Sequence, residues 1–328
     1  MSTTCRPTRP VAPATEILVL CCISVSLEWI APHPGDTPRH GDVTGDQLTA
    51  EFEEQRPHLR AVAYRMLGSV SEADDAVQEA WLRASTADTS DVDDMRAWLT
   101  TVVARVSLNM LRSRRSKREE PLGVHVPEPI VSSEDGLLPE HEALLADSVG
   151  LALLVVLGTL NPAERLAYVL HDVFAMPFDD IAPIVERSPA ATRQLASRAR
   201  RRVEGETAVP DPDLGRQREV VGAFMAASRE GNFEALFAVL HPDVVLRADM
   251  ALGVSRHVRG AEGVARQARM HHTLDRFSRP ALVNGAAGIV VASGERTYAV
   301  MGFIVADGKI VAIDILADPA RLERLALA

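Results

Sequence analysis

FDDIAPIVERSPAATRQLASRARRRV, residues 178–203, is the stretch from which the rest of the chain is read. Phe178, Ile181, Ala182 and Val185 fall at i, i+3, i+4 and i+7, one apolar stripe on a short helix. Ser188 then offers a hydroxyl to the free amides of a second helix, and Pro189 sits at its first position, where a missing N–H costs nothing. In that second helix Ala191, Thr192, Leu195, Ala196, Ala199 and Val203 share one arc, while Arg193, Gln194, Ser197, Arg200 and Arg201 share the other. Two short helices, a tight turn and a basic second helix predict a helix-turn-helix whose second helix enters a DNA major groove.

Net charge is −10 over 328 residues, so the molecule as a whole is no polycation, and any nucleic-acid contact must come from local basic patches. Length predicts two or three domains, and 47% apolar with 24% charged residues is the balance of a globular protein. The cysteines, Cys5, Cys21 and Cys22, all lie near the start and form neither a disulfide framework nor a zinc pattern. A reducing cytoplasm is the expected compartment. Residues 17–31 are apolar but too short to span a bilayer and contain Glu28. Neither a membrane anchor nor a metal or other cofactor is expected, and residues 1–45, rich in proline, are expected to form a disordered tail.

Working inward from the tail, Phe52, Leu59, Val62, Ala63, Met66 and Leu67 predict a helix that Pro57 should kink or restart and that Gly68 should stop. Ser71 is the predicted cap of the next helix, which buries Ala73, Val77, Ala80, Trp81 and Ala84 and leaves Asp74, Asp75, Gln78 and Glu79 facing out. A long helix from Met95 buries Trp98, Leu99, Val102, Val103, Val106 and Met110. Its far end carries Arg105, Arg112, Arg114, Arg115, Lys117 and Arg118, more positive charge than a helix dipole calls for. Residues 121–139 are punctuated by proline and read as a linker. Beyond it, Leu144, Leu145, Val149, Leu153, Val156 and Leu157 form another stripe, and Asn161, Pro162 and Glu164 cap the helix that leads into residues 178–203.

Three stretches in this order resemble bacterial extracytoplasmic-function sigma factors. SEADDAVQEAWLRAS resembles the segment that grips the clamp of RNA polymerase, RAWLTTVVARVSLNMLRSRRSKR the promoter-melting segment, and residues 160–203 the reader of the upstream promoter element. The resemblance implies RNA polymerase core and promoter DNA as partners. Asp74, Asp75, Gln78 and Glu79 would then meet polymerase. Arg105, Asn109, Arg112, Arg114 and Arg115 would hold the downstream element. Ser188, Thr192, Arg193, Gln194, Ser197, Arg200 and Arg201 would hold the upstream one, with Arg193 and Gln194 suited to base edges. Residues 85–94 and Trp98 lie where the family captures an unpaired base, although Trp98 also fits the core stripe.

After residues 205–214, a second linker, the pattern turns to helices at 216–229 and from Asn232, followed by strands at 244–246, 281–283, 288–292, 298–306 and 309–316. The last two meet at Asp307-Gly308, a strong hairpin signal. This region resembles the SnoaL-like branch of the nuclear transport factor 2-like fold, which a SigJ-like subgroup of these sigma factors carries at its C-terminus. Pro127-Glu128-Pro129, the segment from Asp249, and Asp318-Pro319-Ala320-Arg321-Leu322 resemble that subgroup's regulatory motifs, with Asp318 and Ala320 in place of the usual asparagine and aspartate.

The expected architecture is therefore two all-α sigma domains, at 46–118 and 140–204, the second with the helix-turn-helix. Linkers at 119–139 and 205–214 join them to an α+β SnoaL-like cone with a curved antiparallel sheet at 215–328. The expected function is transcription initiation regulated in cis by the last domain, whose pocket has room for a small-molecule ligand. Two other readings compete. One is a dimeric helix-turn-helix regulator with a sensory domain, which leaves Asp74 to Glu79 without a purpose. The other is a cyclase or isomerase using Asp249, His257, His271, His272, Tyr298 or Asp314, for which no recognisable motif is present.

Overall fold

A computed structural model describes residues 45–116, 125–132, 150–206, 210–250, 255–270, 277–294 and 296–325. The tail expected at residues 1–45 lies outside them, apart from Gly45. So do Leu144, Leu145 and Val149 of one predicted stripe.

Three helices open the described chain: α1 (Gly45–Leu67), α2 (Val70–Ala84) and α3 (Met95–Ser116). The helix α1 runs through Pro57 without a break. Proline there deprives the Glu53 carbonyl of its donor, but Phe52, Leu59, Val62 and Met66 on either side are fully buried, and that packing outweighs the lost bond. Gly68 stops α1 in the left-handed region, at φ +74°. Ser69, two residues before the predicted cap, holds the start of α2 by accepting the Glu72 amide at 3.3 Å.

The second helical set is α4 (Leu151–Thr159), α5 (Pro162–Tyr168), α6 (Phe178–Val185) and α7 (Pro189–Glu206), with a π-helical turn at Val169–Val173. Asn161 caps α5 through the Glu164 amide at 2.9 Å, as its sequence predicts. The two sets share one apolar core rather than two. Arg165, from the second set, donates to the Met66 carbonyl at the end of α1 at 2.7 Å and to the Leu157 carbonyl at 2.6 Å. Phe174 lies edge-on to His58 and beneath Arg65.

The C-terminal part is α+β: α8 (Leu214–Glu230), α9 (Phe233–Val239), β2 (Leu240–Met250), β3 (Ser255–Arg259), α10 (Ala261–Met270), β4 (Ser278–Val283), β5 (Ala286–Ser293), β6 (Arg296–Ala306), β7 (Lys309–Ala317) and α11 (Pro319–Leu322). With β1 (Val131–Ser132) at one edge, its sheet runs β1-β4-β5-β6-β7-β2-β3 and is mixed, because β2 and β7 pair in parallel. The other pairings in it are antiparallel, as the expected antiparallel sheet requires. The first strand, β1, comes from the segment predicted to be a linker and pairs with β4.

Alternation along the strands sorts the sheet into two faces. Leu246, Ala248, Ile289, Val291, Phe303 and Ile313 pack with α8, α9 and α10. On the opposite face, Val283, Val290, Val300 and Leu316 pack with Val126, Val131, Leu151 and Leu322. A glycine pair, Gly288 opposite Gly302, makes a dimple on this second face. A Cβ on Gly302 would lie 2.8 Å from Leu151 Cδ2, so the missing side chain is what lets α4 seat against the sheet.

Candidate nucleic-acid interface and linker junction

The face of α2 is as expected: Asp74, Asp75 and Gln78 are exposed and Glu79 is half-buried beside them. Arg60 holds Asp74 at 2.5 and 3.0 Å, and Arg83 holds Glu79 at 2.8 Å, which leaves Asp75 and Gln78 as the more available pair. Leu82 extends the same stripe, three residues beyond Glu79, and is 56% exposed. Its signal was visible as a large apolar residue at i+7 from Asp75, on the polar side of the helix.

Along α3, Arg105, Asn109, Arg112 and Arg115 point outward. Arg114 does not belong with them: it is turned inward and ion-paired with Glu72 of α2. Consecutive residues on a helix point about 100° apart, so the four outward positions and Arg114 cannot share one surface. Trp98 packs partly buried against the shared core.

In α7, Ser188 accepts the Ala191 amide at 3.2 Å and so serves as the predicted cap. Thr192 is fully buried, and its hydroxyl donates to the Ser188 carbonyl at 3.0 Å, so its predicted place on the DNA face is corrected. Its place on the packing arc holds. Arg193, Gln194, Ser197 and Arg201 line one shallow depression together with Arg198, which sequence reasoning passed over. Arg200 is exposed, and its Nε donates to Asp172 at 2.8 Å. The helix-turn-helix therefore presents a compact basic strip with one amide in it, suited to phosphates and purine edges.

The three regulatory motifs, 120 residues apart from Pro129 to Asp249 and 69 from Asp249 to Asp318, meet at one place. Residues 125–132 are no spacer: Pro127, Glu128, Pro129, Ile130, Val131 and Ser132 are all buried. Asp249, at the end of β2, accepts the Val126 amide at 3.2 Å and Arg321 NH1 at 2.5 Å, and His125 Nδ1 lies 3.2 Å away. Arg321 NH2 donates to the Val126 carbonyl at 2.7 Å. Glu128 takes Arg324 at 3.2 Å, with Arg321 at 4.0 Å. Asp318 caps α11 by accepting the Arg321 amide at 3.0 Å, and the exposed Pro319 starts that helix. Aspartate caps as well as asparagine does, so the departure at 318 leaves the motif's geometry in place. Of the segment after Asp249, only Met250 is within the described residues.

On the other side of the linker, Glu128 accepts the Ser69 hydroxyl at 2.7 Å, and its amide donates to the Gly68 carbonyl at 2.8 Å. Its carbonyl accepts the Tyr64 hydroxyl at 2.8 Å. Asn284 completes the junction: its Nδ2 donates to Tyr64 Oη at 3.1 Å, its Oδ1 accepts the Ile130 amide at 3.0 Å, and its amide donates to the Ile130 carbonyl at 2.8 Å. Asn284-Gly285 is the tight turn between β4 and β5, with φ of +51° and +77°. Asn-Gly is the preferred pair for such a turn, so this element was open to sequence reading, although its partners were not.

Burial shapes the titration of these groups. Burial pushes the Asp249 carboxyl up, but the hydrogen bond from His125, the Arg321 charge and the Val126 amide together hold it below its ordinary value. Burial pulls the Arg321 guanidinium down against the pull of Asp249 and Glu128. Burial pushes the Tyr64 phenol up, so it remains a protonated donor. A second ion pair, Arg247 with Asp314 at 2.6 and 3.2 Å, joins β2 to β7 on the same face.

Among the described residues, those considered for acid–base chemistry do not converge on one cavity. Asp249 and Asp314 are both committed to arginines on the junction face. His257 and Tyr298 are exposed, and His271 and His272 lie outside the described residues. Among the described residues no group of His, Cys, Asp and Glu could hold a metal ion, and no helix is long and apolar enough to cross a membrane.

Comparison with known proteins agrees with this geometry. Residues 52–117 match the family model of sigma-70 region 2, and residues 150–203 match that of sigma-70 region 4. These matches define a transcription-initiation subunit of the sigma class. The ECF RNA polymerase sigma factor SigJ of Mycobacterium tuberculosis is 42% identical over 287 residues, 82% of this chain and 91% of that one. A probable ECF sigma factor of the same species, SigI, is 35% identical over 289 residues, 85% of this chain and 96% of its own length. The crystal structure of M. tuberculosis SigJ superposes with a TM-score of 0.70 at 38% identity, covering 85% of this chain and all of that one. The chain belongs to the extracytoplasmic-function RNA polymerase sigma factors.

Proposed function

We propose that this sigma factor carries its regulator in cis, with the buried linker junction as the point of control. In this reading Asp75, Gln78, Glu79 and Leu82 of α2 meet core polymerase. Arg105, Asn109, Arg112 and Arg115 of α3 hold the downstream promoter element, and Arg193, Gln194, Ser197, Arg198 and Arg201 of α7 hold the upstream one. The basic strips share promoter binding with polymerase, so neither needs high affinity alone. A small-molecule ligand would enter at the open depression beside Phe237, Leu240, Arg259 and Arg266, on the margin of the C-terminal domain.

The observation that carries the regulatory part is the meeting of residues 125–129, Asp249 and residues 318–324 around two buried carboxylates and one half-buried guanidinium. Buried charges held this way come apart together, because removing one leaves another unpaired. The test is in vitro transcription with purified core polymerase, comparing the wild-type chain, Arg321→Ala, and a chain ending near Asp213. A promoter-dependent transcript whose yield changes in both altered chains is the expected result. Equal yields from all three would remove the C-terminal domain from control, and no transcript from any would remove the polymerase-dependent reading.

A further inference from the structure

The linker junction has a second half, directed at the helix proposed to meet polymerase. Gly68 and Ser69 form the elbow between α1 and α2, and Ser69 is the cap that holds the first turn of α2. Both are bonded to Glu128, Ser69 through its side chain and Gly68 through its carbonyl. One turn earlier, Tyr64 is fixed between Glu128 and Asn284. A Cβ on Gly68 would lie 3.4 Å from Pro127 Cβ, so the linker leaves room at the elbow for little more than a methyl group. Asp74, Asp75, Gln78 and Leu82 of α2 stay exposed, so the C-terminal domain supports this helix without covering that face.

We infer that Asn284 is a positioning residue through which the C-terminal domain braces the elbow between α1 and α2 and so presents α2 to core polymerase. The inference rests on the reading that α2 faces polymerase and that the junction regulates in cis, and it names where that regulation acts. Asn284 suits the task because it belongs to the C-terminal sheet while its side chain ends on a sigma-domain hydroxyl. An amide can donate to Tyr64 and accept from Ile130 at once, which a carboxylate cannot. The hydroxyl in turn donates to Glu128, the residue that holds Ser69 and Gly68. Rigid support of a binding helix raises affinity by removing an ordering cost at the moment of binding.

The test uses the full-length chain, labelled away from α2 and titrated with core polymerase. Asn284→Gly keeps the positive φ of the turn and removes the side chain. Tyr64→Phe removes only the hydroxyl. Each is expected to weaken core binding about threefold to tenfold, the loss of one or two buried hydrogen bonds. The double variant is expected to bind no more weakly than the weaker single variant, because both break the same connection. Discrimination between promoters differing in the upstream element, measured at saturating core, is expected to stay at the wild-type level, which a general loss of folding would not allow. Asn284→Asp, with the acceptor kept and the donor gone, is expected to follow Asn284→Gly. Wild-type core affinity in folded Asn284→Gly and Asn284→Asp, or single losses that multiply in the double variant, would overturn the inference. If Arg321→Ala alters transcription while the Asn284 variants bind core normally, the elbow route fails and cis regulation stands. If none of them has an effect, the regulatory reading fails with it.

Discussion

Replacing Arg321 by alanine removes a side chain that touches both the linker backbone and two carboxylates. Its guanidinium donates to Asp249 at 2.5 Å and to the Val126 carbonyl at 2.7 Å and lies 4.0 Å from Glu128. The Arg321 and Asp249 side chains are each 12% exposed, so water replaces little of what is lost. Breaking a buried pair from one side costs about 3 to 5 kcal/mol. Here the lower end applies, because Asp249 keeps the Val126 amide and His125, and Glu128 keeps Ser69 and Arg324. A loss of about 3 kcal/mol is about a hundredfold in a local opening equilibrium. Native-state hydrogen exchange reads this directly at the Val126, Glu128 and Ile130 amides, whose acceptors are Asp249, Gly68 and Asn284. Exchange at all three is expected to accelerate about a hundredfold while the α5 and α7 amides hold their rates. Arg321→Lys, which keeps the charge without the fork, is expected to fall between the two. Acceleration below about tenfold at these amides would show that Arg321 does not hold the linker.

The junction is also expected to fail at both ends of the pH range. Because the folded Asp249 carboxyl is held low, its contribution is full above the unfolded value near about 4 and is lost as pH falls through the folded value. Because the Tyr64 phenol is held high, the fold loses stability as pH rises above about 10; exchange of the linker amides followed from acid to alkali checks both limbs. Gly302→Val would drive a side chain into Leu151 and is expected to cost about 1 to 3 kcal/mol in chemical denaturation; a neutral result would mean that α4 is not seated in the dimple. Arg193→Ala is expected to weaken upstream-element discrimination by about 1 to 3 kcal/mol, and equal losses on all sequences in a binding assay would make it a phosphate contact instead.

The helical half of the molecule was legible because its information is local. Stripes such as Leu99, Val103 and Val106 repeat at the helical period, and caps such as Asn161 and Ser188 lie next to what they cap. The inward turn of Arg114 was not legible, since it depends on Glu72 in another helix. The strand β3 escaped for a different reason: as an edge strand reading Ser255, Arg256, His257, Val258, Arg259, it has only one apolar side chain to bury. The linker misled most. Prolines at 127 and 129 spell a solvated spacer by composition, but proline also suits an extended edge strand that offers few amides, and the burial of Val126 and Val131 against the C-terminal sheet and of Ile130 against the helical core depends on tertiary partners. The residues of the regulatory motifs could be named from resemblance, whereas their convergence on Glu128 and Asp249 could not.

The strand β1 completes the C-terminal sheet although it lies between the two sigma domains in the chain. The modular boundary in space therefore does not coincide with any boundary in the gene. A recombination event that exchanged residues 210–328 alone between two such proteins would leave the incoming sheet without its first strand and the resident linker without its groove. Heritable swaps of this regulator must carry residues 125–132 with them, so that linker and domain are inherited as a single module.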